Sequence, residues 1–145
     1  MSPRISFLGY KGRPTVADRQ KILELVRCQT WAVVGASEDR SKFGNITFRE
    51  LQRRGKKVYP VNPKAGEVEG ETAYPSLADL PEHVDCALVV VPPKLGENVV
   101  REAEQAGIDN VWFQPGAESI AALAYCEAHG MTAISGHCIL MTKED

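Results

Sequence analysis

Short runs of apolar residues recur along the chain, and each run ends in small or turn-forming residues. A run that is apolar at nearly every position is typical of a parallel strand buried on both faces, whereas a half-exposed strand alternates apolar and polar positions. Five runs fit the buried pattern and predict five strands, at residues 31–34, 57–61, 86–91, 110–113 and 131–134.

Between these runs, apolar residues repeat at helical spacing. We predict a first helix from Thr15, whose hydroxyl can cap it, to about Cys28, and three further helices at residues 45–54, 95–106 and 118–129. Each of the three further helices stops at a glycine, which favours a left-handed C-cap. Strands that alternate with helices form βαβ units, and right-handed crossovers turn such units into a parallel sheet covered on both faces.

Two segments depart from this alternation. Residues 1–14 show no sustained period and predict an N-terminal arm. Residues 64–84 are interrupted by glycine and proline and predict a shortened crossover with one helical turn. We therefore predict an α/β fold for residues 15–145. It is a Rossmann-like three-layer sandwich with a five-stranded, mainly parallel sheet of strand order 3-2-1-4-5.

Composition narrows the classes of partner. A chain of 145 residues with near-average apolar and charged fractions predicts one well-filled domain. The formal net charge of −2 provides no field that would attract nucleic acid or an anionic membrane. The four cysteines form no C-x-x-C pair, and the first residues lack the apolar core of a signal peptide. We expect a cytoplasmic protein that binds neither nucleic acid nor membranes.

The end of the first predicted strand is a candidate anion site. Ligands of open parallel sheets bind beyond the carboxyl ends of the strands, and Gly35, Ala36 and Ser37 follow this strand. Gly35 allows a tight turn, Ala36 and Ser37 present N–H groups with little bulk, and the next helix points its positive end at the same place. The alternative is a tight turn that uses small residues for packing alone.

The residues after this loop extend the candidate site without completing the dinucleotide fingerprint. G-x-G-x-x-G requires glycine at the position of Ser37, and Gly44 lies well beyond the usual third glycine. Arg40, Lys42 and Gly44 are further candidate contacts of a phosphate-bearing nucleotide.

The second predicted strand ends in Asn62, Pro63 and Lys64, which we include among the candidate contacts. An NAD-binding chain usually has an acidic residue here to bind the ribose diol. A cation such as Lys64 favours a phosphorylated ribose instead. The alternative for Lys64 is an ordinary solvated lysine.

The third and fourth strand ends differ from the first two in chemistry. Val91, Pro92 and Pro93 form a stiff apolar rim that suits an apolar ligand arm, or they simply stop the strand before the next helix. Gln114 ends the fourth strand, where its amide can bind a ligand or cap the strand.

Catalytic and metal-binding patterns are missing from the sequence. The three histidines fall in unrelated segments, no serine lies in a G-x-S-x-G elbow, and no His/Cys cluster has metal-site spacing. His137 and Cys138 are adjacent, but neighbouring residues of an extended chain point to opposite faces. We therefore predict no catalytic residue and no metal site.

Five motifs in sequence order carry a family resemblance: AVVGAS at 32–37, VNPK at 61–64, YPSLADLP at 74–81, VVPP at 90–93 and WFQPG at 112–116. Through them, most of the chain resembles the small stand-alone CoA-binding proteins, whose fold is that of the CoA-binding domain of the succinyl-CoA synthetase α subunit. The resemblance implies coenzyme A as cofactor.

The resemblance also implies how CoA lies. Its pyrophosphate and adenosine would meet residues 35–37, Lys42 and Lys64, and its pantetheine arm would pass residues 91–93. In the synthetase the catalytic histidine belongs to a later domain, so no ligase activity is carried over to these residues. Relatives often read Asp-Arg-Cys where this chain has residues 136–138, Gly-His-Cys, and any role of that acid–base pair is not expected here.

Three functions remain open from the sequence. The first is a non-catalytic CoA-binding or acyl-CoA-binding module that acts as a carrier, a sensor or the partner of an acyl-CoA enzyme, with a homodimer as a further possibility. The second is an NAD(P)-dependent oxidoreductase with a degenerate fingerprint. The third is an interaction scaffold without a ligand.

Overall fold

A parallel sheet lies at the centre of the protein in the computed structural model, which describes residues 16–144. In chain order the strands are β1 Thr30–Val34, β2 Lys57–Val61, β3 Glu67–Val68, β4 Glu71–Thr72, β5 Cys86–Val89, β6 Asn110–Phe113 and β7 Thr132–Ile134. The α-helices are α1 Val16–Val26, α2 Phe43–Arg53, α3 Pro93–Gln105 and α4 Ile120–Ala128, with short 3-10 helices at Leu77–Asp79 and Ile139–Met141.

The period of two along the strands divides the core into two halves. Ala32 and Val34 of β1 face the cluster that includes the apolar faces of α3 and α4, whereas Trp31 and Val33 face the cluster that includes α1 and α2. All four residues of β5 are buried, as expected for a strand covered on both faces. The prediction of a three-layer α/β sandwich is confirmed.

The predicted strand order is wrong in one respect. The five long strands are all parallel and lie in the order β2-β1-β5-β6-β7, so the third predicted strand pairs with the first and not outside the second. The reason is the edge of β2, where Tyr74 accepts from the N–H of Asn62 and donates to the carbonyl of Pro60, both at 2.9 Å. This contact occupies the position that a further strand would need.

Other sequence predictions differ from the structure mainly at element ends. The crossover after β2 contains the predicted helical turn, as the 3-10 helix Leu77–Asp79, and also the β3–β4 hairpin, which the sequence analysis did not predict. Helix α2 begins at Phe43, two residues before the predicted start, and α3 begins at Pro93, a favourable first helical position. The predicted arm and the Thr15 cap lie outside the described residues. No described helix combines the length and apolar character needed to span a bilayer.

An acidic residue of α2 ties this helix to the C-terminal segment. Glu50 accepts hydrogen bonds from Arg53 at 2.7 and 2.8 Å and from Arg54 at 2.8 Å, and Arg54 also donates to the carbonyl of Ile139 at 2.8 Å. The hydrogen bonds from Arg53, followed by those from Arg54, lower the pKa of Glu50 to about 2.

The lowered pKa of Glu50 predicts an acid-sensitive contribution to stability. Its contribution is complete above the ordinary glutamate pKa of 4.5 and is lost as the pH falls towards 2. We expect Glu50→Gln to lower the free energy of unfolding at pH 7 by about 1–2 kcal/mol, after allowance for solvent screening. Urea titrations between pH 7 and 2 should show this difference vanish at the acid end.

The matched control for this experiment is Glu97→Gln. Glu97 pairs with the exposed Arg101 one turn away on α3, where an ion pair contributes little. The stability of Glu97→Gln should depend on pH in the same way as that of the unmodified protein. If the stability of Glu50→Gln depended on pH in the same way as that of the unmodified protein, the acid-sensitive contribution would not come from Glu50.

Candidate functional site

The loop of residues 35–37 joins β1 to α2 at the carboxyl edge of the sheet. Gly35 has a φ of 99°, in the left-handed region that favours glycine, and its N–H donates to the carbonyl of Val61 at 2.9 Å. A Cβ on Gly35 would lie 2.8 Å from the carbonyl oxygen of Val90. The amide of Asn62 donates to the carbonyl of Ala36 at 2.7 Å. The loop is therefore held between the ends of β2 and β5.

Helix α2 begins in direct contact with this loop. A Cβ on Gly44 would overlap the carbonyl oxygen of Gly35 and lie 3.0 Å from its carbonyl carbon. Lys42 is the N-cap of α2 and its side chain makes no capping hydrogen bond. The first N–H groups of a helix have no intrahelical acceptor and attract anions. The backbone thus presents a positive helix end beside a loop of small residues.

The buried amide side chain of Asn45 on α2 holds the 35–37 loop in position. Asn45 is fully buried on α2, and its Nδ2 donates to the carbonyl of Ser37 at 2.9 Å and to Glu69 at 3.1 Å. Its Oδ1 accepts from Arg49 at 2.6 Å. The sequence analysis missed Asn45. The available signal was a polar residue one helical turn before Phe48, on the core-facing side of the helix.

Arg40 and Lys42 occupy different environments around the loop. The Nε of Arg40 lies 3.4 Å from a carboxylate oxygen of Glu69, and the Arg40 side chain is 65 % exposed. Glu69 is the first of the two residues between β3 and β4 and has a φ of 51°, which is unusual for a residue other than glycine. Lys42 is exposed. A phosphate that approached Arg40 would meet a guanidinium already paired with Glu69. The sequence analysis did not predict this role of Glu69.

The second strand end lines a cavity of about 350 Å³ next to the loop. We call it the β2 cavity, and its lining includes Gly35, Asn62, Pro63, Lys64 and Val91. Asn62 is structural here, because its Oδ1 also accepts from the N–H of Lys64 at 2.8 Å. Lys64 is exposed at the rim, so its ammonium is available to a ligand.

The third and fourth strand ends line a second cavity of about 540 Å³, which we call the Phe43 cavity. Val91 lines both cavities, and Pro92 lines this one, whereas Pro93 is the exposed first residue of α3. The other lining residues are Phe43, Val90, Gln114, Pro115, Gly116, Ala117 and Cys138.

Gln114 is nearly buried in the floor of the Phe43 cavity, and both ends of its amide contact the protein. Its Nε2 donates to the Sγ of Cys138 at 3.3 Å, and its Oε1 accepts from the N–H of Ile139 at 2.7 Å. The amide therefore joins the end of β6 to the C-terminal 3-10 helix. Its predicted contact with a ligand stays a prediction.

The four cysteines are free thiols that differ in burial. Cys86 and Cys126 are buried and Cys28 and Cys138 are partly buried, all as free thiols. Burial raises the pKa of Cys126 to about 12 and lowers that of His137. In the described part of the chain, no group of three or more His, Cys, Asp or Glu side chains could hold a metal ion.

The structure therefore brings the predicted residues of all four strand ends to one edge of the sheet. Gly35, residues 62–64 and Val91 line the β2 cavity, and Val91, Pro92 and Gln114 line the Phe43 cavity. The other predicted residues of the first loop line neither cavity: Ala36, Ser37, Arg40, Lys42 and Gly44.

Both cavities are lined mainly by apolar residues. The lining of the β2 cavity also includes the exposed Lys64 and the acidic Glu102, whereas none of the described residues of the Phe43 cavity is charged. A ligand with a phosphate near Lys64 and a long arm that passes Val91 matches this arrangement.

Comparisons with known proteins show the family to which the chain belongs. A family model described as a CoA binding domain matches residues 29–144. The α subunit of the ADP-forming acetate–CoA ligase II of Pyrococcus furiosus is 42% identical over 81 residues, which cover 55% of this chain and 18% of that subunit. The chain spans less than a fifth of the length of the first curated relatives it matches.

Solved structures match over more of their length. A conserved hypothetical protein from Pyrococcus furiosus is 43% identical, with a TM-score of 0.75 over 79% of this chain and 99% of that one. A hypothetical protein from Pyrococcus horikoshii is 34% identical, with a TM-score of 0.81 over 90% and 93% of the two chains. Since the family model spans β1 through the C-terminal 3-10 helix, the chain belongs to the family of CoA binding domains.

Proposed function

We propose that this chain binds coenzyme A across the carboxyl edge of its sheet. The nucleotide end lies between the 35–37 loop and Lys64, and the pantetheine arm passes Val91 and Pro92. One observation carries this assignment: two cavities meet at Val91 along the carboxyl edge of the sheet, and the exposed Lys64 lies at the rim of the one next to the 35–37 loop. CoA can place its phosphates near Lys64 and extend its long arm past Val91.

The charges at the strand ends favour CoA over NAD. The residue that follows β2 is Asn62, an amide in place of the usual ribose-binding carboxylate, and its side chain bonds the carbonyl of Ala36 and the N–H of Lys64. Lys64 at the rim suits the ribose phosphate of CoA. Lys42 and the first turn of α2 suit the pyrophosphate. Arg40 also contacts it, after its ion pair with Glu69 is replaced by one with the phosphate.

We assign the chain a binding role without chemistry of its own, as a carrier, a sensor or a partner of a larger acyl-CoA enzyme. The relatives that are CoA ligases support the last of these, because the matched region is a small part of their length. Free thiols in the described residues fit a reducing cytoplasm. Self-association as a homodimer is a further part of this proposal.

Nucleotide selectivity tests the proposed function. Calorimetric titrations with CoA, dephospho-CoA, NAD and NADP should show CoA bound most tightly. We expect Lys64→Ala to narrow the difference between CoA and dephospho-CoA by about 1–3 kcal/mol, the usual contribution of a charge-assisted hydrogen bond. Lys21→Ala, which removes an exposed lysine of α1, is the matched control and should keep the difference.

Two outcomes would count against the proposal at different levels. Binding of NAD without binding of CoA would overturn the cofactor assignment and favour an oxidoreductase. An unchanged difference between CoA and dephospho-CoA in Lys64→Ala would remove Lys64 from the phosphate contact and leave the cofactor assignment in place.

A further inference from the structure

The carboxylate of Glu69 lies beside the proposed phosphate site. The Nδ2 of Asn45 donates to the carbonyl of Ser37 at 2.9 Å and to Oε2 of Glu69 at 3.1 Å. The same oxygen of Glu69 lies 3.4 Å from the Nε of Arg40. One amide nitrogen therefore links Glu69 to the 35–37 loop, and a negative charge lies next to the first turn of α2.

The hairpin of β3 and β4 holds this carboxylate in place. Val68 precedes Glu69 and is fully buried in the core cluster that includes α2. The N–H of Ala73 donates to the carbonyl of Gly66 at 3.0 Å, which closes the base of the hairpin. The Glu69 side chain is only 24 % exposed. A charge restrained in this way acts on any anion bound at the loop.

The backbone conformation of Glu69 indicates that its side chain has a function. Glu69 and Gly70 have φ values of 51° and 82°, and positive φ at both central residues is typical of a type I′ turn. Such a turn favours asparagine, aspartate or glycine at its first central position, so glutamate is costly there. Strain of this kind persists where surrounding contacts impose it. Here those contacts are the bonds of the carboxylate to Asn45 and Arg40.

The charge of Glu69 affects nucleotides differently according to how their phosphates are esterified. Each phosphate in the pyrophosphate of CoA is linked on both sides and carries one negative charge. ADP shares the adenosine and the pyrophosphate, but its terminal phosphate is linked on one side only and loses a second proton close to neutral pH. A carboxylate beside the pyrophosphate therefore repels ADP more strongly than it repels CoA.

We propose that Glu69 makes the site select pyrophosphate diesters, such as CoA, over free nucleoside diphosphates. The inference rests on the proposed function, because it requires the pyrophosphate to lie at the 35–37 loop. Lys42 and the positive end of α2 attract both kinds of ligand, so their attraction alone does not separate them. Repulsion by Glu69 supplies the difference, because it disfavours the ligand with the additional charge.

Titrations with dephospho-CoA and ADP test this selection. Both ligands contain adenosine and a pyrophosphate and both lack the ribose phosphate, so the proposed contact of Lys64 does not enter the comparison. In calorimetry without divalent cations, we expect Glu69→Gln to reduce the preference for dephospho-CoA over ADP by about fivefold, the effect of roughly one additional charge near a protein surface. Glu69→Asn, which suits a positive φ, should give the same change.

Salt provides a second measurement of the same repulsion. Since salt screens charges near the surface, raising the salt concentration should reduce the preference of the unmodified protein for dephospho-CoA. The preference of Glu69→Gln should depend less on salt.

The matched control is Glu71→Gln, which removes an exposed carboxylate from β4 of the same hairpin. Its preference for dephospho-CoA over ADP should equal that of the unmodified protein. An equal loss of preference in Glu71→Gln would assign the effect to the total charge of the hairpin and would overturn the specific role of Glu69.

The outcomes separate this inference from the proposed function. If dephospho-CoA and CoA bind but the preference over ADP is unchanged in Glu69→Gln and Glu69→Asn, the role of Glu69 is wrong and the CoA site stands. If the unmodified protein binds ADP as tightly as dephospho-CoA, the site makes no such selection and the inference is also wrong. If neither CoA nor dephospho-CoA binds, both proposals fail.

Discussion

Gly44→Ala is expected to destabilise the protein by about 3 kcal/mol and to abolish CoA binding, because the added methyl group has no space. Its Cβ would overlap the carbonyl oxygen of Gly35 and lie 3.3 Å from the Cα of Ala36. These atoms are backbone, so no rotamer change can make room. Either α2 or the loop must move, and both form the proposed phosphate site. Urea unfolding and calorimetry measure the two effects.

A second glycine provides the control for this experiment. Gly66 follows β2 outside regular structure, and a Cβ built on it meets no atom within 4 Å. Gly66→Ala should leave stability within about 0.5 kcal/mol of the unmodified protein, as for most surface substitutions. If Gly44→Ala were as stable as the unmodified protein and bound CoA equally well, the close approach of α2 to the 35–37 loop would be contradicted.

Asn45→Ala is expected to lower the free energy of unfolding by about 1–3 kcal/mol and to loosen the 35–37 loop. The substitution leaves the partly buried carbonyl of Ser37 and the guanidinium of Arg49 without this partner. It also removes a hydrogen bond to Glu69, which holds the β3–β4 hairpin near the loop. Amide hydrogen exchange at residues 35–37 should become faster, and CoA should bind more weakly.

The control for Asn45→Ala is another amide of the same helix. Gln52 is exposed, so Gln52→Ala should change stability by less than about 0.5 kcal/mol and leave exchange in the loop unaltered. If Asn45→Ala lowered stability without changing exchange at residues 35–37, Asn45 would support the core and would not position the loop.

The three inner strands β1, β5 and β6 were predictable because nearly every residue in them is buried. A strand such as β5, in the middle of the sheet, is covered on both faces, so each of its residues must be apolar or small. Helices α2 and α3 were predictable from the opposite pattern, in which one apolar face repeats along a polar segment. Their starts were missed by two residues because helix ends depend on local capping contacts.

The strand order was not predictable from these patterns. A buried parallel strand has the same composition whichever neighbour it pairs with, so the run at Cys86–Val89 could lie beside β1 or outside β2. Tyr74 decided between them by pairing with the outer edge of β2. That contact joins residues more than ten positions apart and leaves no mark in local periodicity.

The candidate site was also only partly predictable from the sequence. The Gly35 loop, Lys64 and the Val91–Pro92 rim could be identified because each follows a predicted strand, and parallel strands place their carboxyl ends on one edge. Asn45 and Glu69 were missed because their roles come from contacts across 8 and 24 residues of chain. Gln114 was identified, but its partners at Cys138 and Ile139 were not.

By itself the sequence determined the type of fold, and it predicted the edge of the sheet at which a ligand is expected and the kind of ligand head, because these follow from local patterns of burial and from residue chemistry. Tertiary structure decided which strands are neighbours, that two cavities share Val91, and that the polar side chains of the larger cavity already have partners. The physical reason is that a hydrogen bond or a cavity wall needs two segments in contact, and the separation of those segments along the chain does not specify the contact.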